Sequence, residues 1–137
     1  MPTVIDHTVQ ARLVTVPSAT RDVTVALRYD RHDPFAVRIV FPPDVSLDGQ
    51  EVAWVFSREL LEEGLRASVG RGDVRVRPNG ETRTVVELRA PEGVAVIEFD
   101  TAGLRNFLRG TYKLVRSGTE HLEMDLDRAL TALLRGV

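Results

Sequence analysis

Apolar and polar positions alternate along much of the chain. In "DVTVALRY" Val23, Val25 and Leu27 share one face, while Thr24, Ala26 and Arg28 share the other. Period two predicts a half-buried strand. Residues 4–16 carry Val4, Ile5, Val9, Leu13, Val14 and Val16 among polar neighbours, which predicts a strand with imperfect alternation. Pro17-Ser18-Ala19-Thr20 reads as the turn after it. "FAVRIVF" sets Phe35, Val37, Ile39 and Phe41 on one face and stops at Pro42-Pro43, because proline offers no N–H to a ladder. Asp48-Gly49 signals another turn, and "EVAWVF" a fourth strand with Val52, Trp54 and Phe56 on one face.

The period then changes. In "SRELLEEGLRASVG" Leu60, Leu61 and Leu65 fall at helical spacing. Ser57 suits the N-cap, where its hydroxyl accepts from first-turn N–H groups, and Glu59 lies where the helix dipole favours an anion. Gly64 either permits close packing or ends the helix early; Gly70 is the better candidate for its C-terminal punctuation. "DVRVRP" returns to alternation, with Val74 and Val76 inward and Arg75 and Arg77 outward. Asn79-Gly80 predicts a type I′ hairpin, "TRTVVELRA" the return strand, Pro91-Glu92-Gly93 a turn and "VAVIEFD" a further strand. Asp100 or Thr101 can cap a second helix with Leu104, Phe107 and Leu108 as its stripe and Gly110 near its end. "HLEMDL" alternates Leu122, Met124 and Leu126 and reads as a short extended piece. Asp125 or Asp127 would then cap a last helix with Ala129, Leu130, Leu133 and Leu134 inward.

Hairpin-linked strands with few intervening helices predict an α+β fold: about seven strands in antiparallel sheets, packed with two or three helices. The halves repeat this order without an alignable repeat of residues. No linker divides the chain, and 137 residues suit one domain, 1–137, with a sizeable core.

Composition narrows the chemistry. There is no cysteine, so disulfides, thiolate nucleophiles and Cys-ligated zinc are excluded. No apolar run approaches the roughly 20 residues that span a bilayer, so no membrane insertion is expected. Met1 to His7 lacks the basic start and apolar stretch of an export signal, and a cytoplasmic protein is the simplest expectation. The net charge of −2 gives no global attraction to nucleic acid or anionic lipid. Lys113 is the only lysine.

No catalytic set emerges. His7, His32 and His121 lack the spacing of a metal motif, and "DLDRAL" lacks the glycine and distal glutamate of a calcium loop. "GRGD" lacks the Lys and Ser/Thr of a phosphate loop and precedes a strand. Ser18, Ser46, Ser57, Ser68 and Ser117 have no nucleophile-elbow setting. Neither catalytic residue, metal nor cofactor is expected. Two surfaces remain. The 73–90 hairpin can present Arg75, Arg77, Arg83 and Arg89 to one side with Glu87 between them; such a stripe could track phosphates, though stacking aromatics are scarce there. The charged turn in "ALRYDRHDPFAVRIVF" reads as structural: Asp33 before Pro34 favours an extended or turn conformation and can form an Asx-turn. Its exposed charges still offer partner contacts, as loops commonly do.

The blocks "LRYDRHDPFAV", "WVFSRELLEEGL", "GDVRV", "LRAPEGVAVIEF" and "GTEHLEMDLDRAL" together resemble the SsgA-like proteins of actinobacterial sporulation and cell division. The ordered set runs from about residue 10 to the C-terminus; the first few residues carry no match. Family members often have tyrosine where this chain has Phe35 and tryptophan where it has Arg77. The resemblance implies a non-enzymatic regulator at division septa that selects septum sites. It also implies FtsZ, the tubulin-like division protein, and SsgA-like proteins as partners. The implied fold is Whirly-like, crossed antiparallel sheets with helices, assembling as a homo-oligomer with a trimer as one form. Candidate partner-binding residues are Arg28, Asp30, Asp33, Glu62, Glu63 and Arg66. The alternative is a single-stranded nucleic-acid-binding module using Arg75, Arg77, Arg83 and Arg89; mild acidity argues against it, and fold likeness alone is weak support.

Overall fold

The structure, a computed structural model, describes residues 3–15, 19–45 and 49–135. Strands β1 (Val4–Thr15), β2 (Ala19–Asp30), β3 (Ala36–Phe41) and β4 (Val52–Ser57) lead into helix α1 (Arg58–Gly64). Strands β5 (Val69–Arg71), β6 (Val74–Asn79), β7 (Arg83–Ala90) and β8 (Gly93–Asp100) lead into α2 (Thr101–Leu114), and α3 (Glu120–Leu134) follows. A short 3-10 turn spans Pro43–Val45. Neighbouring strands all pair antiparallel, in the order β4-β3-β2-β1-β8-β7-β6-β5. The fold is α+β as expected, with eight strands among the described residues where about seven were counted. The extra one is β5, whose three residues, Val-Gly-Arg, are too few to show an alternation. Each half is a four-stranded meander closed by a helix. The meanders join along one seam, Ala11–Val14 of β1 against Phe99–Val96 of β8.

Alternation decides what each face buries. Val23, Val25, Leu27 and Tyr29 of β2, Val37 and Ile39 of β3, Val86 and Leu88 of β7, and Ile97 and Phe99 of β8 lie in one core. Leu104, Phe107 and Leu108 of α2 and Leu60 and Leu61 of α1 cover it. Each such side chain contributes about 1.5–3 kcal/mol by leaving water. Behind the apolar layer, the hydroxyls of Thr84 and Thr101 meet at 2.7 Å, a buried pair that satisfies both.

Local chemistry explains the element ends. Ser57 caps α1, its hydroxyl accepting from the Leu60 N–H at 3.1 Å. Gly64 is both the last helical residue and a close-packing site. A Cβ there would lie 2.2 Å from Val76 Cγ1, so only glycine lets α1 lie flush on β6. Gly70 is therefore not the punctuation; it sits in β5 under the Arg75 side chain. The β6–β7 connection is not a two-residue I′ turn. Asn79 pairs with Arg83, leaving a three-residue loop, 80–82, in which Gly80 alone takes positive φ, +70°. Phe35 is not on the inner face: β3 begins one residue later, and the Phe35 ring stands 42% exposed, edge-on to His121. In the first inter-strand turn, Pro17 and Ser18 lie outside the described residues, and Ala19 and Thr20 already belong to β2. Asp48 also lies outside them; Gly49 bends at φ +71°.

The C-terminal segment departs most from expectation. "HLEMDL" is helical, not extended. Thr119 precedes α3, so Asp125 and Asp127 lie inside the helix and cap nothing. Ala129, Leu130, Leu133 and Leu134 do not point inward; all are exposed.

Candidate partner-docking surface

The polar side of α3 faces the rest of the molecule. Glu120, Glu123, Met124 and Asp127, spaced i, i+3, i+4, i+7, are partly buried, as is Ala132 further along. The carboxylates meet two arginines and a histidine. Arg58 Nη2 donates to Glu120 Oε2 at 2.8 Å, Arg31 Nε lies 3.8 Å from Glu123 Oε2, and His32 Nδ1 lies 3.0 Å from Asp127 Oδ1. The opposite consequence is a bare apolar stripe. Leu122, Leu126, Ala129 and Leu133 repeat at 4-3-4 spacing, the seam pattern of a coiled coil, with Leu130 and Leu134 beside them. Leu133 is 74% exposed.

Arg58 organises this junction. It is 1% exposed. Its Nη1 donates to the carbonyls of Thr111 at 3.1 Å and Val115 at 2.8 Å, satisfying acceptors at the end of α2. The guanidinium also lies 4.9 Å from the Tyr29 ring centroid and 4.1 Å from that of Tyr112. One cation thus ties α1, the end of α2, the start of α3 and two aromatic rings. Burial pushes the Glu120 carboxyl upward, but hydrogen bonds from its own N–H, from Arg58 and from the Gly118 N–H outweigh it and hold the group below the usual carboxylate value. Burial pushes the Tyr29 hydroxyl up to about 12; it donates to the Pro34 carbonyl at 3.0 Å.

The charged turn after β2 is structural in part and belongs to the α3 cradle in part. Asp30 makes the Asx-turn, accepting from the His32 N–H at 2.9 Å. Asp33, expected in that role, instead takes Arg38 at 3.2 Å. Arg28 pairs across the strand with Asp6 at 3.0 Å. Arg31 reaches the Leu114 carbonyl at 3.2 Å. So Arg28, Asp30 and Asp33 hold their own neighbourhood, while Arg31 and His32 grip the helices.

Glu62 and Arg66 stand elsewhere, on a groove between α1 and α2. It encloses about 480 Å³ and is lined by Glu62, Leu65, Arg66, Arg105, Leu108, Arg109, Tyr112, Arg116 and Ser117. Tyr112 donates to Glu62; burial first, then this bond, raises its hydroxyl pKa. Glu62 lies 3.8 Å from Arg66. Glu63 contributes its carbonyl, accepting from Arg66 and Ala67 at the end of α1.

The sheet arginines do share a face, as β6–β7 register requires: Arg75 opposes Glu87 and Arg77 opposes Val85. The face is laced with acids. Arg77 pairs with Glu87 and Arg83 with Asp100, while Arg12 pairs with Glu98 at 2.9 Å and with Asp100 at 3.2 Å. Arg75 and Arg89 have no ion pair among the described residues. The histidines lie apart: His7 against Phe107, His32 on Asp127, His121 on Phe35.

Residues 23–120 match the family profile of the Streptomyces sporulation and cell division protein SsgA. The chain belongs to the SsgA family. A sporulation-specific cell division protein SsgB of Streptomyces coelicolor is 39% identical over 137 residues, covering 98% of each chain. An SsgA-like sporulation-specific cell division protein of Thermobifida fusca, solved as a crystal structure, superposes with a TM-score of 0.84 at 33% identity, covering 94% of each chain. An SsgB structure described with longitudinal cell division in S. coelicolor sporulation gives 0.78 at 36%, covering 88% of this chain and 95% of that one. The likeness to the S. coelicolor relative thus extends beyond the stretch from residue 10. Within the SsgA family, the similarity to SsgB agrees with a role in cell division.

Three features of the site were not read from the sequence: the buried Arg58, the polar docking of α3, and the cations of α2. Only the last left a clear signal. No acid stands between Asp100 and Glu120, while Arg105, Arg109, Lys113 and Arg116 recur at i, i+4, i+8, i+11.

Proposed function

We propose that this chain is a non-enzymatic adaptor of sporulation-associated division, acting at septa in the cytoplasm. It selects septum sites by recruiting FtsZ together with SsgA-like partners, and it works by recognition and raised local concentration. The observation that supports a docking platform is the leucine stripe of α3. A helix that faces the body with carboxylates and turns Leu122, Leu126 and Leu133 outward leaves about 16 Å of coiled-coil seam uncovered. A second copy of the chain fits this stripe. Each copy carries the same leucines, so the stripe can close against its own kind. Homo-oligomers follow, with the trimer as the form to test. Nucleic-acid binding is the weaker reading, since acids neutralise much of the sheet arginine stripe.

Co-sedimentation with FtsZ polymers, beside light scattering, is the test. Wild-type chain pellets with polymer and scatters as an oligomer. L126D/L133D keeps its circular dichroism and scatters as a monomer. Failure to pellet with FtsZ under any polymerising condition would sink the recruitment reading. Alanine changes at Arg28, Asp30, Asp33, Glu62, Glu63 or Arg66 that alter neither folding nor pelleting would remove those positions.

A further inference from the structure

Like charges at i, i+4 on a helix destabilise it by roughly 0.2–0.5 kcal/mol per pair. On α2, Arg105 and Arg109 form one such pair and Arg109 and Lys113 the next, with Arg116 in line just past the helix end. Elsewhere some cations, Arg75 and Arg89 among them, also lack an ion pair among the described residues, but Arg12, Arg21, Arg28, Arg38, Arg77 and Arg83 each have a carboxylate partner. Arg105, Arg109, Lys113 and Arg116 have none among the described residues. A local rule broken without a folding gain marks a surface kept for something else.

Arg105, Arg109 and Arg116 of this stripe line one wall of the α1–α2 groove. Arg66 faces it from the α1 side, and Leu65 and Leu108 supply apolar lining. The single acid of the lining, Glu62, is already engaged by the Tyr112 hydroxyl. Four arginines therefore stand against one occupied carboxylate, in a chain whose net charge is −2.

We propose that the α1–α2 groove binds an acidic segment of a partner protein, its carboxylates on Arg66, Arg105, Arg109 and Arg116 and an aliphatic side chain against Leu65 and Leu108. Three observations favour a peptide. Guanidinium forks match carboxylates with two parallel bonds. Apolar lining between the cations suits a side chain, where a phosphate backbone would use none of it. The groove's aromatic ring, Tyr112, is half-buried, covered by Arg58 and tied through its hydroxyl, so it offers no stacking platform for a base. Arg105 to Arg116 spans about 16 Å of helix, which matches roughly five residues of extended chain.

The inference rests on the docking reading for its class of occupant and adds the surface and its chemistry. Its test is separate. A fluorescein-labelled peptide of about ten residues, alternating Asp-Glu pairs with Leu, is titrated by anisotropy at low and physiological salt. Its Asn-Gln analogue and a short oligo-dT are titrated alongside. The acidic peptide binds and the amide analogue does not. R105E/R109E, at exposed positions, weakens binding at least about tenfold, as does R66E/R116E, while R75E/R89E on the sheet leaves it unchanged. Equal binding by R105E/R109E with an unchanged melting curve, or equal binding of the amide analogue, overturns the proposal. Oligo-dT that binds more tightly than the peptide and is lost in the same variants overturns it in favour of nucleic acid. FtsZ co-sedimentation that fails while the peptide binds faults the division partner and leaves the groove standing.

Discussion

Helices α2 and α3 follow each other in the chain and use their two faces in opposite ways. The α2 helix puts Leu104, Phe107 and Leu108 into the core and shows cations to water. The α3 helix puts carboxylates against the body and shows leucines to water. Both are amphipathic. The difference lies in what the body offers: α2 meets the apolar inner face of the sheet, whereas α3 meets Arg58, Arg31 and His32. An amphipathic pattern tells that a helix has two faces; the partner decides which one turns inward.

The largest effects should come from the junction and from α2. Arg58→Ala removes two carbonyl bonds and leaves Glu120 without its cation, an expected loss of about 3–5 kcal/mol in urea unfolding, with hydrogen exchange in α3 accelerated. Arg58→Lys recovers little of it, since an ammonium cannot fork between carbonyls and carboxylate while lying flat on two rings. Phe107→Ala, at a side chain with 0% exposure, costs about 3–5 kcal/mol by transfer and cavity together. A smaller effect follows acid. The Glu120 carboxyl is held below its usual value, so the unfolded chain takes up the proton first as pH falls. The stability it contributes is complete above the ordinary glutamate pKa of about 4.3 and drains away as pH drops through the lower folded value. Monitored by α3 amide exchange, Glu120→Gln should flatten that dependence. Leu133→Ala sharpens the comparison from the other side. At dilutions where the chain is monomeric, stability should stay within about 0.5 kcal/mol of wild type.

The strands were legible because their alternation is dictated by one buried and one wet face; β2, β3, β6, β7 and β8 carry it plainly. The Ser57 cap was legible for a similar reason, since the geometry it satisfies is local. The misreading of 121–126 shows the limit. Leu122, Met124 and Leu126 alternate over three apolar positions, which period two explains as well as a helix does. The longer 4-3-4 repeat through Leu133 resolves it only if the whole segment is taken together. The leucines of an amphipathic helix ordinarily face a core, whereas the cradle that turns these outward comes from Arg31, His32 and Arg58, distant in sequence. Arg58 itself looked like any first-turn surface arginine. Nothing local announces that two tyrosines and two carbonyls will enclose it. Of the candidate partner residues, Glu62 and Arg66 line the groove, and Asp30 and Asp33 turned out to be occupied by their own loop.

The seam between the meanders has a consequence in time. Within each meander, strands pair with their immediate neighbours along the chain, so their loops close quickly. Arg12 and Glu98, which meet across the seam, stand 86 positions apart. Contacts of that separation form late, because chain entropy must be lost before they return anything. The halves should assemble first and zip together last along Ala11–Val14, and two chains caught at that moment would be able to exchange partners.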